Sequence, residues 1–189
     1  MHVDSKRQTD PGTDSQQTGE VGFRLRAPRT DDIPLYTEYL ADPVVSVWLE
    51  DRCQRPMSAL DVESFVFQRG WVVWSIESGQ RFVGITGLSD PDAMRGLARF
   101  FIVIGDRTVW GKGLGTRVTR AVLDKAFTEL GLRKVVSDYL EPNEASRLIH
   151  KRNGFTVEGR LRQDAWRQGR WVDRILLSIL REEYQQCSE

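Results

Sequence analysis

The sequence has only two cysteines, Cys53 and Cys187, far apart in the chain, and they fit no metal-ligand spacing. It also has no net charge. Its 27 Lys and Arg balance 27 Asp and Glu, so no broad field draws it to nucleic acid or to an anionic membrane. No apolar run approaches the roughly 18–20 residues that a membrane span needs. The N-terminus lacks the apolar centre of a secretory signal, and no internal repeat is visible. These absences lead to the expectation of a cytoplasmic protein with no metal, no membrane and no nucleic-acid partner. Cations do gather late in the chain, at Arg147, Lys151, Arg152, Arg160 and Arg162.

What is present suits one domain: 189 residues, 40% of them apolar, are enough for a core. Residues 1–21 are polar and are expected to form a disordered tail, with the domain occupying 22–189. Phe23-Arg24-Leu25-Arg26 alternates like a strand with one buried face. Thr30-Asp31-Asp32 reads as a helix start, with Ile33, Leu35, Tyr36, Tyr39 and Leu40 facing inward and Asp42-Pro43 ending it. Val44 to Leu49 is a short apolar patch. Ser58 caps a second helix reaching about Gln68, with Leu60, Val62, Phe65 and Val66 inside.

Trp71–Ile76 and Phe82–Leu88 flank a turn at Ser78-Gly79-Gln80 and predict a β-hairpin. Ser89–Asp92 reads as a loop, and Leu97–Ile104 as the third strand of a meander. A helical pattern then runs to about Leu130, closed by Gly131. Lys134–Leu140 is a strand. Pro142-Asn143 caps another helix with Ala145, Leu148 and Ile149 inside. Strands follow from Phe155 and from Trp171 to Leu180. The order is β-α-α-β-β-β-α-β-α-β-β.

At the junction between the third strand and its helix lies Trp110-Gly111-Lys112-Gly113-Leu114-Gly115-Thr116. Glycines there let the backbone approach a ligand, and the unpaired N–H groups of the first helical turn suit a phosphate or pyrophosphate. A Walker loop is excluded, because Lys112 lies between two glycines and no hydroxyl residue follows it. A dinucleotide fingerprint is disfavoured, since Thr116 stands where its third glycine belongs. A glycine-rich turn with no ligand is the plain alternative.

The loop, its helix, the next strand and Asn143-Glu-Ala-Ser146-Arg-Leu-Ile-His150-Lys-Arg-Asn-Gly154-Phe155 together resemble the GNAT superfamily of N-acetyltransferases. The stretch from Glu158-Gly159 through Gly169-Arg-Trp-Val-Asp173 looks like its ribosomal-protein N-terminus (RimJ/RimL-like) branch and relatives acting on amino sugars, polyamines and antibiotics. The resemblance covers about Phe23 to Tyr184. It implies an α/β (α+β) fold: a mixed, mostly antiparallel sheet of about seven strands, flanked by helices and splayed beside the acetyl-CoA strand.

By the same resemblance, the pantetheine arm of acetyl-CoA pairs with the backbone of Ile102, Val103 and Ile104. The pyrophosphate sits on Gly111, Lys112, Gly113, Leu114, Gly115 and Thr116, with charge added by Lys112 and Arg117. Asn143 contacts the CoA arm, or simply caps its helix. Ser146 is the implied proton donor to the departing thiolate. His150, standing where many members carry a tyrosine, is the second candidate, although an exposed helix histidine is the commoner situation. A homodimer is an expectation of the resemblance alone.

The implied reaction is direct attack of a primary amine on the thioester. The acceptor is a small amine, amino sugar, antibiotic or protein N-terminus. A base must take the amine's proton, and a strand N–H stabilises the oxyanion. Glu50, Asp51, Asp138, Glu141 and Asp164 are the candidate bases, none of them preferred. The ribosomal branch has a glutamate where Ala165 stands. Trp48, Trp71, Trp166 and Trp171 are either core or acceptor-cleft residues. A non-catalytic acyl-CoA-binding module on the same fold is the alternative.

Overall fold

The computed structural model describes residues 22–186, so the tail expected at 1–21 lies outside the described residues. Seven strands form one sheet in the order β1-β2-β3-β4-β5-β7-β6. They are β1 (Arg24–Arg26), β2 (Val72–Ser78), β3 (Arg81–Asp92), β4 (Leu97–Ile104), β5 (Lys134–Leu140), β6 (Thr156–Arg167) and β7 (Arg170–Leu180). Helices α1 (Ile33–Ala41), α2 (Pro43–Ser46) and α3 (Ala59–Val66) precede β2. Helices α4 (Leu114–Asp124) and α5 (Glu144–Arg152) flank β5 in the chain, and α6 (Arg181–Gln186) follows β7. The expected architecture is present, with α6 added.

The β4–β5 pair is parallel, and the other neighbours are antiparallel. The parallel ladder joins only Leu97 to Lys134, Ala98 to Val135 and Arg99 to Val136. Beyond Arg99 the two strands part, while β4 stays paired to β3 as far as Ile104. That splay opens the middle of the sheet.

Each face of the sheet has its own core. Ile33, Tyr36, Leu40, Val62 and Val66 from α1 and α3 pack with Ile85 and Val103. On the other side, Val122, Leu123 and Ala126 pack with Phe100, Val135 and Ile179. An amphipathic α4 explains this: Val118 and Val122 are fully buried, while Arg120 and Asp124 face outward. The helix runs on into a π-helical turn, Lys125–Glu129, before Gly131 at φ +64°. The first helices are anchored by Arg26, which forks onto Asp32 at 2.6 and 2.7 Å, and by Ser75, which donates to Asp32 at 2.7 Å.

Several sequence expectations change. Thr30 is not a cap. Thr30–Asp32 is a 3-10 turn, and the Asp32 carboxylate accepts from the Arg29 N–H at 2.9 Å. Leu35 and Leu60 face outward, because α1 and α3 are short and a narrow stripe suffices to cover the sheet. Ser58 does cap α3, in a reciprocal pair with Asp61. Ser89–Asp92 is not a free loop: β3 reaches Asp92, which pairs with Leu97 after an irregularity. Pro91 sits within that irregularity, where no ladder N–H is required.

Strands β3 and β4 approach each other closely at Gly84. A Cβ there would lie 2.1 Å from the Val103 carbonyl oxygen and 2.9 Å from the Ile104 Cα. Gly84→Ala is therefore expected to cost about 1–3 kcal/mol, as overpacking does. Gly159→Ala, with nothing within 4 Å, should be near neutral. Urea denaturation of the two variants checks this, and equal stabilities would contradict the packing argument.

Candidate active site

Strand alternation decides which backbone groups face the opening. The Ser137 hydroxyl, on β5, lies 3.3 Å from the Phe100 carbonyl, so Phe100 turns its peptide groups toward β5. The Thr86 hydroxyl, on β3, donates to the Phe101 carbonyl at 2.9 Å, so Phe101 turns the other way. By the two-residue period, Ile102 presents its N–H and C=O to the splay, and Val103 directs its own to β3. The Ile104 carbonyl accepts from the Trp110 indole N–H at 2.9 Å. Of the three strand residues expected to meet a pantetheine arm, Ile102 turns both backbone groups to the opening, Ile104 turns its N–H the same way, and Val103 faces β3.

Beyond β4 the chain makes the turn Arg107–Val109 and then the glycine loop. Gly111 and Gly113 both sit at φ +73°, a left-handed conformation that glycine adopts without strain. Gly113 is the N-cap of α4, and it supplies no side chain to cap the helix. The first helical hydrogen bond runs from Arg117 N–H to Gly113 C=O at 3.3 Å. This leaves the amides of Leu114, Gly115 and Thr116 at the positive end of the helix dipole. Lys112 is exposed beside them, and Arg117 lies over the Phe23 ring at 5.6 Å.

Helix α5 starts against the same loop. The Asn143 carboxamide accepts from the Ser146 N–H at 3.1 Å, so its capping role is real, and its amide hydrogens stay available to the cleft. Gly115 lets the helices touch, since a Cβ there would meet Ile149 Cδ1 at 2.6 Å. Asn153, a residue that the sequence reading did not single out, is buried and donates to the Thr116 carbonyl at 3.2 Å and the Ile149 carbonyl at 2.8 Å. It ties the end of α5 to the start of α4.

His150 is not an exposed helix histidine. It is 2% exposed, stacked on Tyr139 and edge-on to Phe155. Helix α5 buries this side and turns Ala145 outward, reversing the expected inner face at that position. His150 Nδ1 lies 2.8 Å from the Ser146 carbonyl, which can only accept, so Nδ1 carries the proton. Nε2 therefore accepts from the Ser137 hydroxyl at 2.8 Å. Burial holds the imidazole pKa below its usual value, partly countered by the Ser146 carbonyl and Asp138. The Ser146 hydroxyl oxygen, 3.3 Å from Nδ1, is a secondary acceptor of the same N–H, and the hydroxyl keeps its own proton to donate.

The cleft at the splay is lined by Ser146, His150 and Asn143 on one side of the sheet and by Trp48, Glu50 and Trp71 among others on the opposite side. It encloses about 150 Å³, well below the ~300–1,000 Å³ of a pocket for a whole drug-sized ligand. The cleft is too small for a whole nucleotide-sized ligand, and the glycine loop is not part of its lining. Of the candidate bases, Glu50 and Asp138 reach the cleft. Asp138 is bound by both Arg99 and Arg174. Asp51 pairs with Arg167 at 2.8 Å, Glu141 with Arg160 at 3.2 Å and Asp164 with Arg174 at 2.6 Å, all away from the lining.

Trp166 and Trp171 are 52% and 56% exposed and pack edge to face on each other, so they are neither core nor cleft. Ala165 is buried with Leu140 and Val172. Two of the late cations are already neutralised, Arg147 by Glu144 and Arg160 by Asp173. Among the described residues no cluster of His, Cys, Asp and Glu could hold a metal ion, and no helix is long and apolar enough to cross a membrane.

A family model described as an acetyltransferase (GNAT) domain matches residues 23–156. The uncharacterized N-acetyltransferase YokL of Bacillus subtilis is 27% identical over 172 residues, covering 89% of this chain and 94% of the relative. The spermidine N(1)-acetyltransferase of Escherichia coli is 25% identical over 142 residues, 75% of this chain and 76% of that one. The crystal structure of spermidine N-acetyltransferase from Vibrio cholerae with CoA and spermine shares the fold. Its TM-score is 0.77 at 22% identity, covering 86% of this chain and 98% of that one.

The buried His150 makes an acid-sensitivity prediction. Its folded pKa lies below the unfolded value of 6.5, so the unfolded chain takes up the proton first. The stability that this neutral histidine contributes is complete above pH 6.5 and is lost as the pH falls through the folded pKa. Unfolding free energy measured from pH 8 to pH 5 should decline more steeply in the native protein than in His150→Gln. Parallel declines would contradict the assignment.

Proposed function

The chain belongs to the GNAT family of acetyltransferases, as an acetyl-CoA-dependent N-acetyltransferase, and from that premise we propose that its acceptor is a small primary amine reacting at the splay. The observation that carries this is the end of the parallel ladder at Arg99 and Val136. It leaves the backbone of Ile102 facing the opening on the strand side and Ser146 on the helix side. In the proposal the pyrophosphate lies on the amides of Leu114, Gly115 and Thr116. Ile102 and the Asn143 carboxamide hold the pantetheine arm.

The neutral amine nitrogen attacks the thioester carbon, the C–N bond forms and the C–S bond breaks. The Ile102 N–H faces the developing oxyanion. Glu50 takes the proton lost by the amine, directly or through water. It is the acid that reaches the cleft with a single partner, Arg52 at 2.8 Å, whereas Asp138 is committed to two guanidinium groups. Ser146 passes its hydroxyl proton to the departing thiolate as it takes one from water, its oxygen a secondary acceptor of the His150 Nδ1–H, and the proton taken by Glu50 returns to solvent. His150 acts behind Ser146, in keeping with its burial.

A small amine is favoured over a ribosomal-protein N-terminus. The position where the ribosomal branch has a glutamate is Ala165, walled in by Leu140 and Val172, and the adjacent Asp164 is bound to Arg174.

Ser146→Ala is expected to lower kcat by about 10²-fold, the lower end for a general acid. Acetyl-CoA affinity should change by less than about threefold, because the hydroxyl is needed only as the thiolate forms. Thiol-release kinetics and calorimetric titration measure the two quantities. Unchanged turnover would remove Ser146 from the proton-donor role. Acetyl-CoA binding without thiol release on any amine would favour the non-catalytic acyl-CoA-binding module.

A further inference from the structure

We infer that the acceptor carries a carboxylate beside an apolar body, and that Arg99 selects it; this rests on the acetyl transfer proposed above. The acceptor side of the cleft presents three guanidinium groups, Arg52, Arg99 and Arg174, against two carboxylates, Glu50 and Asp138. Both carboxylates already hold arginines of this chain, Asp138 two of them and Glu50 one. A polycationic acceptor entering here can set one amine against Glu50, but its further ammonium groups meet three guanidinium groups and no other carboxylate without two arginines. Each of those further groups would lose water without a partner, which is costly in a confined cleft.

Arg99 differs from its two neighbours in what it leaves open. Arg174 is held at both ends, by Asp138 and by Asp164, and its side chain is 23% exposed. Arg52 bonds to Glu50 and lies over the Phe65 ring at 4.5 Å, so the cation already covers that aromatic face. Arg99 meets Asp138 through one terminal nitrogen, and its side chain is 45% exposed. It stands at the last paired position of β4, where the splay begins. The remaining N–H edge of a guanidinium is the shape that a carboxylate accepts in a two-point contact.

The wall beside it is aromatic. Phe65, Trp71 and Phe101 form a triangle with ring centroids 5.4 to 5.7 Å apart, from α3, the residue before β2 and the same face of β4 as Arg99. An amine with an apolar side chain and a carboxylate, built like an amino acid, is complementary to both. Its apolar body lies on the aromatic triangle, its carboxylate binds Arg99, and its amine is left to face Glu50 and the thioester.

The test compares matched amines with and without the carboxylate: phenylalanine against phenethylamine, leucine against isoamylamine and tryptophan against tryptamine, with spermidine alongside. In the native enzyme kcat/KM should favour the carboxylate member of at least one pair by roughly tenfold to a hundredfold, the range for a hydrogen bond to a charged group. Arg99→Gln should collapse that ratio toward one, mainly through KM of the carboxylate member, and Arg99→Lys should restore part of it. Preference for spermidine or for the decarboxylated amines overturns the inference. So does an Arg99→Gln effect that falls equally on both members of a pair, which is what a purely structural role would produce. Absence of turnover with every amine, while acetyl-CoA still binds, overturns the acetyl-transfer reading itself and this inference with it.

Discussion

Strands β4 and β5 are parallel neighbours for three residues and then part, and the active cleft exists because of it. A strand that loses its partner exposes backbone donors and acceptors, and a buried peptide group left unsatisfied costs about 1–3 kcal/mol. Native proteins resolve such groups with structure, water or ligand. On β4 the resolution is divided. Val103 turns to β3, the Ile104 carbonyl is taken by the Trp110 indole, and Ile102 faces the opening. The strand thus arrives at the cleft with both backbone groups of Ile102, and the Ile104 N–H, turned away from β3. The other contacts keep the strand in place.

Two helix starts converge on that opening, each for a different local reason. Helix α4 begins at a left-handed glycine, which bares its first amides. Helix α5 begins at Asn143, whose side chain satisfies one amide and orients Ser146. They are locked together by the Gly115–Ile149 contact and by Asn153, so the phosphate cradle and the Ser146–His150 pair form one unit. Acceptor residues come from the other sheet face, through α3, the segment around Glu50 and Arg99 of β4. In the proposed reaction, donor and acceptor approach from opposite sides and meet where the sheet is open.

Much of this was legible in the residues, and the misses have physical causes. The bounds of β4 and β5 were readable because β-branched and aromatic runs end abruptly at Gly105 and Pro142. Their parting was not readable from periodicity, since it depends on how far two distant segments stay in register. Only the family resemblance supplied it. His150 was expected outside because histidine on a charged helix usually is. Its burial follows from Tyr139, Phe100 and Phe155 closing around it, contacts that no local pattern encodes. Trp166 and Trp171 erred the other way: they lie on neighbouring edge positions of the last hairpin, where alternation no longer implies a core. Trp71 was named as a core or cleft residue, but Arg99 and the grouping of Trp71 with Phe65 and Phe101 were not legible, because the partners are scattered through the chain.

The central claim is that the acyl donor docks on the backbone that β5 leaves uncovered. Residue-resolved amide hydrogen exchange, with and without acetyl-CoA, tests it most directly. Binding should slow exchange at the Ile102 amide and leave the Val103 amide, already paired with β3, nearly unchanged. Protection confined to Val103, or no change at Ile102 under saturating acetyl-CoA, would contradict the account.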